Sequence, residues 1–141
     1  MSAFDLTDKI NDAINTQVYQ QSFTSSVKIP VQERLEDIKD LTVRVFPTQH
    51  DTINQSRGYD KNTIQVSVGI QKKLNIQDID AATRELHDLA IEIKDSIRRV
   101  NIPPYCYLSS TIAPVFDVGQ LVENQVFTSV IILTYEELSR V

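Results

Sequence analysis

The chain has 141 residues, a mass of 16.0 kDa and 41% hydrophobic residues, which suits one domain with a buried core and not two domains. The net charge of −5 argues against a surface that binds duplex DNA through its phosphates, and a single cysteine excludes an internal disulfide. Three widely separated glycines exclude a glycine-rich phosphate loop, and the longest apolar run, residues 130–133, is too short to span a membrane. Because the N-terminal residues also lack the pattern of a secretory signal, we expect a soluble, mildly acidic domain compatible with the cytoplasm.

The first 39 residues predict an amphipathic helix, a short strand and a short surface helix. Apolar residues three and four positions apart form one stripe on the first helix, which we expect to fade near Gln20. The members of this stripe are Leu6, Ile10, Ala13, Ile14 and Val18. Residues 27–30 form an extended segment that ends at Pro30, and the apolar spacing in residues 31–39 predicts one or two helical turns.

The next segment predicts two strands separated by a polar stretch. Residues 41–46 alternate between apolar and polar side chains, and we expect Pro47 to end this strand. Residues 48–62 contain almost no apolar side chain, which predicts a long exposed loop, and long loops are usually functional or mobile. Residues 63–70 alternate again, with one face directed to a core and the other to water or a partner.

The second half of the chain predicts a long helix and the remaining strands. Apolar residues repeat at threes and fours over residues 78–100, and two arginines near the end suit the helix dipole. Residues 105–116 are rich in strand-forming residues, residues 117–124 predict a turn, and residues 126–135 predict a central strand that is apolar on both faces. These elements predict an α+β fold, a two-layer sandwich in which two main helices pack on a mixed or antiparallel sheet of about four to five strands.

Few residues offer catalytic or metal-binding chemistry. Cys106 has no neighbouring base in the sequence, and a buried structural role is the commoner one for a free cysteine. His87 lacks a second histidine at helical spacing, and the neighbours His50 and Asp51 point apart in an extended segment. We therefore expect no catalytic residue, no metal site and no cofactor.

Several segments of the chain form a pattern that is also found in a known family. They are residues 27–30 (VKIP), 35–38 (LEDI), 41–47 (LTVRVFP), Arg57, Tyr59, 64–73 (IQVSVGIQKK) and 129–137 (SVIILTYEE). These segments resemble small tail-associated proteins of long-tailed bacteriophages. The closing strand in particular is similar to the last strand of phage tail-terminator proteins, and the order of elements is similar to the α+β fold of that family. The resemblance covers most of the chain and extends to the head–tail joining proteins of the phage neck.

The resemblance implies a structural virion protein and not an enzyme. Members of the family form a homohexameric ring that caps the head-proximal end of the tail tube, stops its polymerisation and gives the neck proteins of the head a surface on which to dock. DNA passes through the lumen without sequence recognition, and an acidic protein suits that passage because it does not retain the phosphate backbone. Such a ring closes through heterologous contacts between neighbouring copies.

Exposure and polarity single out the candidate interface residues. In the predicted loop, we expect contact with the tail tube or a neighbouring subunit at His50, Asp51, Arg57 and Tyr59. Second choices, for a ring contact or the lumen, are Asp117, Glu123 and Asn124 of the predicted C-terminal hairpin, and Glu136 and Glu137 at the end of the last strand. Arg44 offers an intersubunit ion pair, although a solvated charge at a sheet edge is the commoner role.

Three other interpretations stay open at this point. A head-closure or head–tail joining protein shares most of these physical expectations and differs in its partner, which is on the portal side. An accessory protein of a prophage-derived secretion or injection machine would share the fold. A small-ligand enzyme or binding module, with Cys106 and a histidine in a pocket, is disfavoured because the usual site ingredients are missing from the sequence.

Overall fold

The computed structural model describes residues 3–29 and 40–140, which form an α+β fold with helices packed on a five-stranded mixed sheet. The elements in chain order are α1 (Ala3–Thr16), β1 (Ser25–Val27), β2 (Thr42–Ser56), β3 (Tyr59–Lys73), a 3-10 turn (Ile76–Asp78), α2 (Ile79–Arg99), β4 (Cys106–Ile112), α3 (Val118–Asn124) and β5 (Val126–Arg140). The predicted fold class is confirmed. The helix predicted at residues 31–39 lies outside the described residues.

The sheet has the strand order β1-β2-β3-β5-β4, so the last strand of the chain inserts between β3 and β4. β1 runs parallel to β2, and the other three pairings are antiparallel. β2, β3 and β5 each have 15 residues, which corresponds to a length of about 50 Å. The sheet is therefore built around three long central strands with two short strands, β1 and β4, at its edges.

Alternation along the strands gives the sheet two different faces. One face, which we call the helix face, carries the buried apolar side chains that pack against α1 and α2. The opposite face, which we call the open face, carries the alternate residues of each strand. On β3, the predicted core positions Ile64, Val66, Val68 and Ile70 are all buried on the helix face. Their partners on β5 include Ile131 and Leu133, which are also fully buried. β5 is a central strand as predicted, but apart from Val126 at its start only its helix-face side chains are fully buried.

The two main helices form where the periodicity predicts them. In α2 the buried side chains are Leu86, Leu89, Ala90, Ile93 and Ile97, which lie on one stripe. α1 ends at Thr16, so the prediction that Val18 belongs to its buried stripe is wrong, and Val18 is 97% exposed. The chain turns away after Thr16 because Asn15 binds the backbone of Ser25, accepting from its N–H at 2.9 Å and donating to its carbonyl at 3.1 Å.

The exposed loop predicted at residues 48–62 is instead a continuous β-hairpin. β2 passes through Pro47 with a register shift next to Thr48, and β3 begins at Tyr59. A proline fits here because β1 pairs only with residues 43–45, so no described strand beyond them needs an N–H from Pro47. Gly58 closes the hairpin with a φ of 91°, a conformation that favours glycine.

Two smaller predictions also need correction. The short strand expected at residues 27–30 lies earlier, at Ser25–Val27. The turn expected at residues 117–124 is the helix α3, which begins after Asp117. The side chain of Asp117 accepts a hydrogen bond from the Gln120 N–H at 3.0 Å. This bond caps the helix, because backbone N–H groups in the first helical turn have no partner within the helix.

Candidate protein interaction site

A three-stranded arm extends the sheet beyond the helices. It consists of residues 49–56 of β2, residues 59–63 of β3 and residues 136–140 of β5. These strands pair from Asp51 opposite Thr63 to Tyr59 opposite Arg140, with one register shift in β2 between Asn54 and Ser56. Extended strands rise about 3.3 Å per residue, so the arm projects about 15–20 Å beyond the last core layer. The four residues predicted as an interface from the supposed loop, His50, Asp51, Arg57 and Tyr59, all lie in this arm or its turn.

The helix face of the arm is held together by one amide side chain. The Asn62 Oδ1 atom accepts a hydrogen bond from Thr52 Oγ1 at 2.8 Å and lies 3.2 Å from His50 Nε2. The Asn62 Nδ2 atom donates to Ser139 Oγ at 2.9 Å and to Glu137 Oε1 at 3.4 Å. These bonds connect all three strands through the central one, so the arm is an ordered structure and not the mobile loop that its composition allowed.

The open face of the arm is apolar in part. Ile53 and Leu138 lie on either side of Lys61 in the register and are 61% and 64% exposed. Tyr59, at the start of β3, is 44% exposed on the same face. Lys61 forms an ion pair with Glu136 at 3.1 Å, which neutralises both charges beside these apolar side chains. We call Ile53, Tyr59 and Leu138 the arm patch; exposed apolar clusters of this kind commonly mark interaction sites.

The two consecutive glutamates of β5 have different environments. Glu136 is on the open face in the ion pair with Lys61, where a partner is able to reach it. Glu137 is on the helix face and only 6% exposed, and its Oε2 atom has no hydrogen-bond partner among the described residues. The arm's hydrogen-bond network encloses this carboxylate in the single chain, and its place in a ring contact or lumen stays a prediction.

Tyr105 lies close to this network from the side of the helices. Its hydroxyl donates a hydrogen bond to Asp5 Oδ2 at 2.9 Å. Burial raises the pKa of Tyr105, and the hydrogen bond to Asp5 and the charge of Glu137 raise it further. Tyr105 therefore keeps its proton and connects the N-terminal helix to the base of the arm.

Arg44 is not the solvated edge charge that the sequence favoured. It is on the open face of β2, between Ser26 of β1 and Gly69 of β3, and only 7% of it is exposed. β1 covers this part of β2, which moves Arg44 from the edge of the sheet to its second strand. An intersubunit ion pair of Arg44 stays a prediction.

The opposite end of the sheet carries a second exposed apolar cluster. Asp117 and Asn124 are occupied within α3, since Asp117 caps its start and Asn124 donates to Gln120 Oε1 at 3.1 Å. Glu123 is exposed on the same helix. The apolar residues beside them were not predicted from the sequence. They are Val115, which is 44% exposed, Val118, which is 61% exposed, and Val122, which is 74% exposed. We call these three the α3 patch; only the helical spacing of Val118 and Val122 in residues first interpreted as a turn could have indicated it.

The candidate nucleophile and the histidines are not brought together. Cys106 is exposed, so the expectation that it is buried is wrong. Its register opposite Glu136 places it on the open face, whereas His50 is on the helix face opposite Ile64. His87 is on α2, which packs against the helix face. A cysteine–histidine pair therefore does not form.

One open groove, with a volume of about 770 Å³, lies between the end of α1 and α2. Its lining includes Asp88, Glu92, Asp95 and Arg99, and neither Cys106 nor a histidine contributes to it. Within residues 3–29 and 40–140, no group of three or more His, Cys, Asp or Glu side chains is arranged to hold a metal ion. The same ranges contain no helix that is both long and apolar enough to cross a bilayer.

No protein-family model matches the chain, and no match was found among the curated proteins. The geometry of the described residues and the sequence resemblance therefore carry the functional argument.

Proposed function

We propose that this protein is a structural component of a bacteriophage virion, a tail terminator that forms a ring at the head-proximal end of the tail tube. The ring stops tube polymerisation and provides the surface on which the head docks through its neck proteins. It assembles in the host cytoplasm and remains in the neck of the virion. Genomic DNA passes through its lumen without sequence recognition.

The observation that carries this proposal is the pair of exposed apolar patches at opposite ends of one sheet. The arm patch lies near the end of β5, at Leu138, and the α3 patch precedes the start of β5 at Val126. The two ends of β5 are about 45 Å apart. A terminator needs two docking surfaces that face in opposite directions, one for the tube and one for the neck, and a domain with an apolar cluster at each end supplies them.

We assign the arm patch to the tail tube and the α3 patch to the neck. The arm is narrow, ordered and projects from the domain, which suits insertion between subunits at the end of a tube. The α3 patch lies at the other end of β5, so it remains accessible to the neck when the arm binds the tube. The net charge of −5 supports passage of DNA past the ring, because a negative surface does not retain phosphates.

Matched double substitutions at the two patches test this assignment. I53S combined with L138S is expected to abolish capping, so that purified tail tube protein polymerises past the normal tube length in electron micrographs. V118S combined with V122S serves as the control at the other end, and is expected to cap tubes normally but to block attachment of filled heads. All four residues are exposed, so both variants are expected to fold with the stability of the wild type.

Each result has a definite meaning. Normal capping by the arm variant, with normal head attachment by the α3 variant, would contradict the proposed function. A wild-type protein that ignores tubes and binds portal or adaptor rings would assign the chain to head closure instead.

A further inference from the structure

The sheet has two edges that no described strand pairs with. At one side, β1 covers β2 only at residues 43–45, and the Lys28 N–H donates to the Val45 carbonyl at 3.2 Å, so the outer edge of β2 is unpaired in the described residues from Phe46 onward. At the other side, β4 pairs with β5 alone. Unpaired edges present rows of backbone donors and acceptors, which are a template for another strand.

These edges lack the charges that normally protect such strands. β4 contains no Asp, Glu, Lys or Arg, and residues 46–56 of β2 contain one, Asp51, although 23% of the chain is charged. Natural sheets commonly place lysines and other charges on edges to prevent association. Pro47 and the irregularity beside Thr48 interrupt the β2 edge, but β2 is regular from Gln49 to Asn54. A partner strand therefore has a regular row of about six residues available.

The two edges are complementary in direction, and the first residues of β4 are level with the uncovered part of the β2 edge. Three successive antiparallel pairings separate β2 from β4, so β4 runs opposite to β2. When a second copy is placed beside the first in the same orientation, its β2 meets β4 in an antiparallel arrangement, and the helix faces remain on the same side. Cys106 is at the level of Asp51, because the register connects them through Glu136 and Thr63.

We propose that copies of this chain join by continuing the sheet, with the first residues of β4 (106–109) in one copy pairing antiparallel with residues 49–51 of β2 in the next. The contact is heterologous, so it closes into a ring when the rotation between copies permits. This inference deepens the proposed function and rests on it for the biological setting. The pairing itself concerns the purified protein alone.

The single native cysteine provides a direct test. Cys106 is exposed on the open face, and directly opposed residues of antiparallel strands have Cα atoms about 4.5–5.5 Å apart, a separation that a disulfide accepts. Single cysteines are introduced into the otherwise native chain at open-face positions, as Q49C, D51C and I53C. Matched controls, H50C and T52C, place the thiol on the same strand but on the helix face. Each concentrated protein is oxidised, and disulfide-linked species are separated on a non-reducing gel.

We expect a ladder of linked oligomers from the open-face variants, strongest at one of the three positions, and about tenfold less product from the two controls because their thiols point to the other face. Adding C106S to the strongest variant is expected to remove the ladder. Circular dichroism identifies any variant that does not fold. Such a variant is left out, and the remaining open-face variants are compared with the controls.

Equal cross-linking at all five positions would overturn the proposal, as would the absence of a ladder from every folded open-face variant. A wild-type dimer linked through Cys106 alone would also overturn it, by showing that two β4 edges pair with each other. Tube capping is measured separately. If the protein caps tubes but forms no ladder, the proposed strand pairing is wrong and the proposed function stands. If it forms the ladder but does not cap tubes, the proposed function is wrong and the strand pairing stands.

Discussion

Replacing Asn62 with alanine is expected to destabilise the domain more than any other single polar substitution in the arm. Asn62 is 8% exposed, and its amide bonds to side chains of both neighbouring strands. Removing it leaves Glu137 buried with no hydrogen-bond partner among the described residues, because the Oε2 atom already has none and the Oε1 atom loses its contact at 3.4 Å. A buried carboxylate without hydrogen bonds is costly because it has lost its hydration as well.

The magnitude follows from the individual bonds. The bond to the carboxylate of Glu137 contributes about 1.5–3 kcal/mol, and the bond to Ser139 contributes about 1 kcal/mol. His50 and Thr52 are exposed, so water replaces the amide there and the loss is about 0.5 kcal/mol for each. We therefore expect N62A to lower the free energy of unfolding by about 3–5 kcal/mol, which is a large fraction of the stability of an ordinary domain.

Urea unfolding followed by circular dichroism measures this loss; tryptophan fluorescence is not an option because the chain has no tryptophan. T52A is the matched control, because it removes one exposed partner of the same amide, and its expected cost is below about 1 kcal/mol. Adding E137Q to N62A replaces the buried carboxylate with a neutral amide. This change is expected to restore at least about 1 kcal/mol of the free energy of unfolding. If N62A unfolds at the same urea concentration as the wild type, the account of the arm as a polar network is wrong.

Substitutions at four other residues of the fold give further expected outcomes. Burial raises the pKa of Tyr135 above its ordinary value of 10.0, and its hydroxyl has no hydrogen-bond partner among the described residues, so Y135F is expected to raise stability at pH 7 by up to about 1.5 kcal/mol in urea unfolding. Because the unfolded tyrosine ionises near pH 10 while the folded one stays neutral, the wild type is expected to lose stability above pH 10, and Y135F to lose less; equal losses would refute this. G58A is expected to cost about 1 kcal/mol because of the positive φ at Gly58, and D117A about 0.5–2 kcal/mol through the lost cap of α3, both measured by thermal unfolding. I97A is expected to lower the free energy of unfolding by about 2–5 kcal/mol, because the side chain of Ile97 on α2 is fully buried in the core. A smaller loss would contradict this placement.

The sequence predicts the core of this fold well because burial imposes a period on it. Ile64 to Ile70 on β3 alternate, and the apolar residues of α2 repeat at helical spacing, so both elements are visible without any tertiary information. The arm is not visible in the same way. Its residues are polar on one face because they bond to each other through Asn62, and a strand whose partners are polar side chains has the composition of a loop.

The interface residues stay a prediction. The sequence directs attention to polar side chains in the region of His50 and Tyr59, whereas the exposed apolar side chains there are Ile53 and Leu138. Exposure of an apolar residue depends on where the helices end relative to the sheet, and local sequence does not encode that position. Burial of Arg44 was missed for the same reason, because it depends on the pairing of β1 with β2, two strands that are separated in the sequence.

The most direct test of the central claim is the mass of the purified protein in solution, measured by light scattering first alone and then with tail tubes encoded by the same genome. We predict a ring of about six copies, or a monomer that becomes a ring when it caps tubes and halts their growth. A protein that stays monomeric at high concentration and leaves tube growth unchanged would contradict the account.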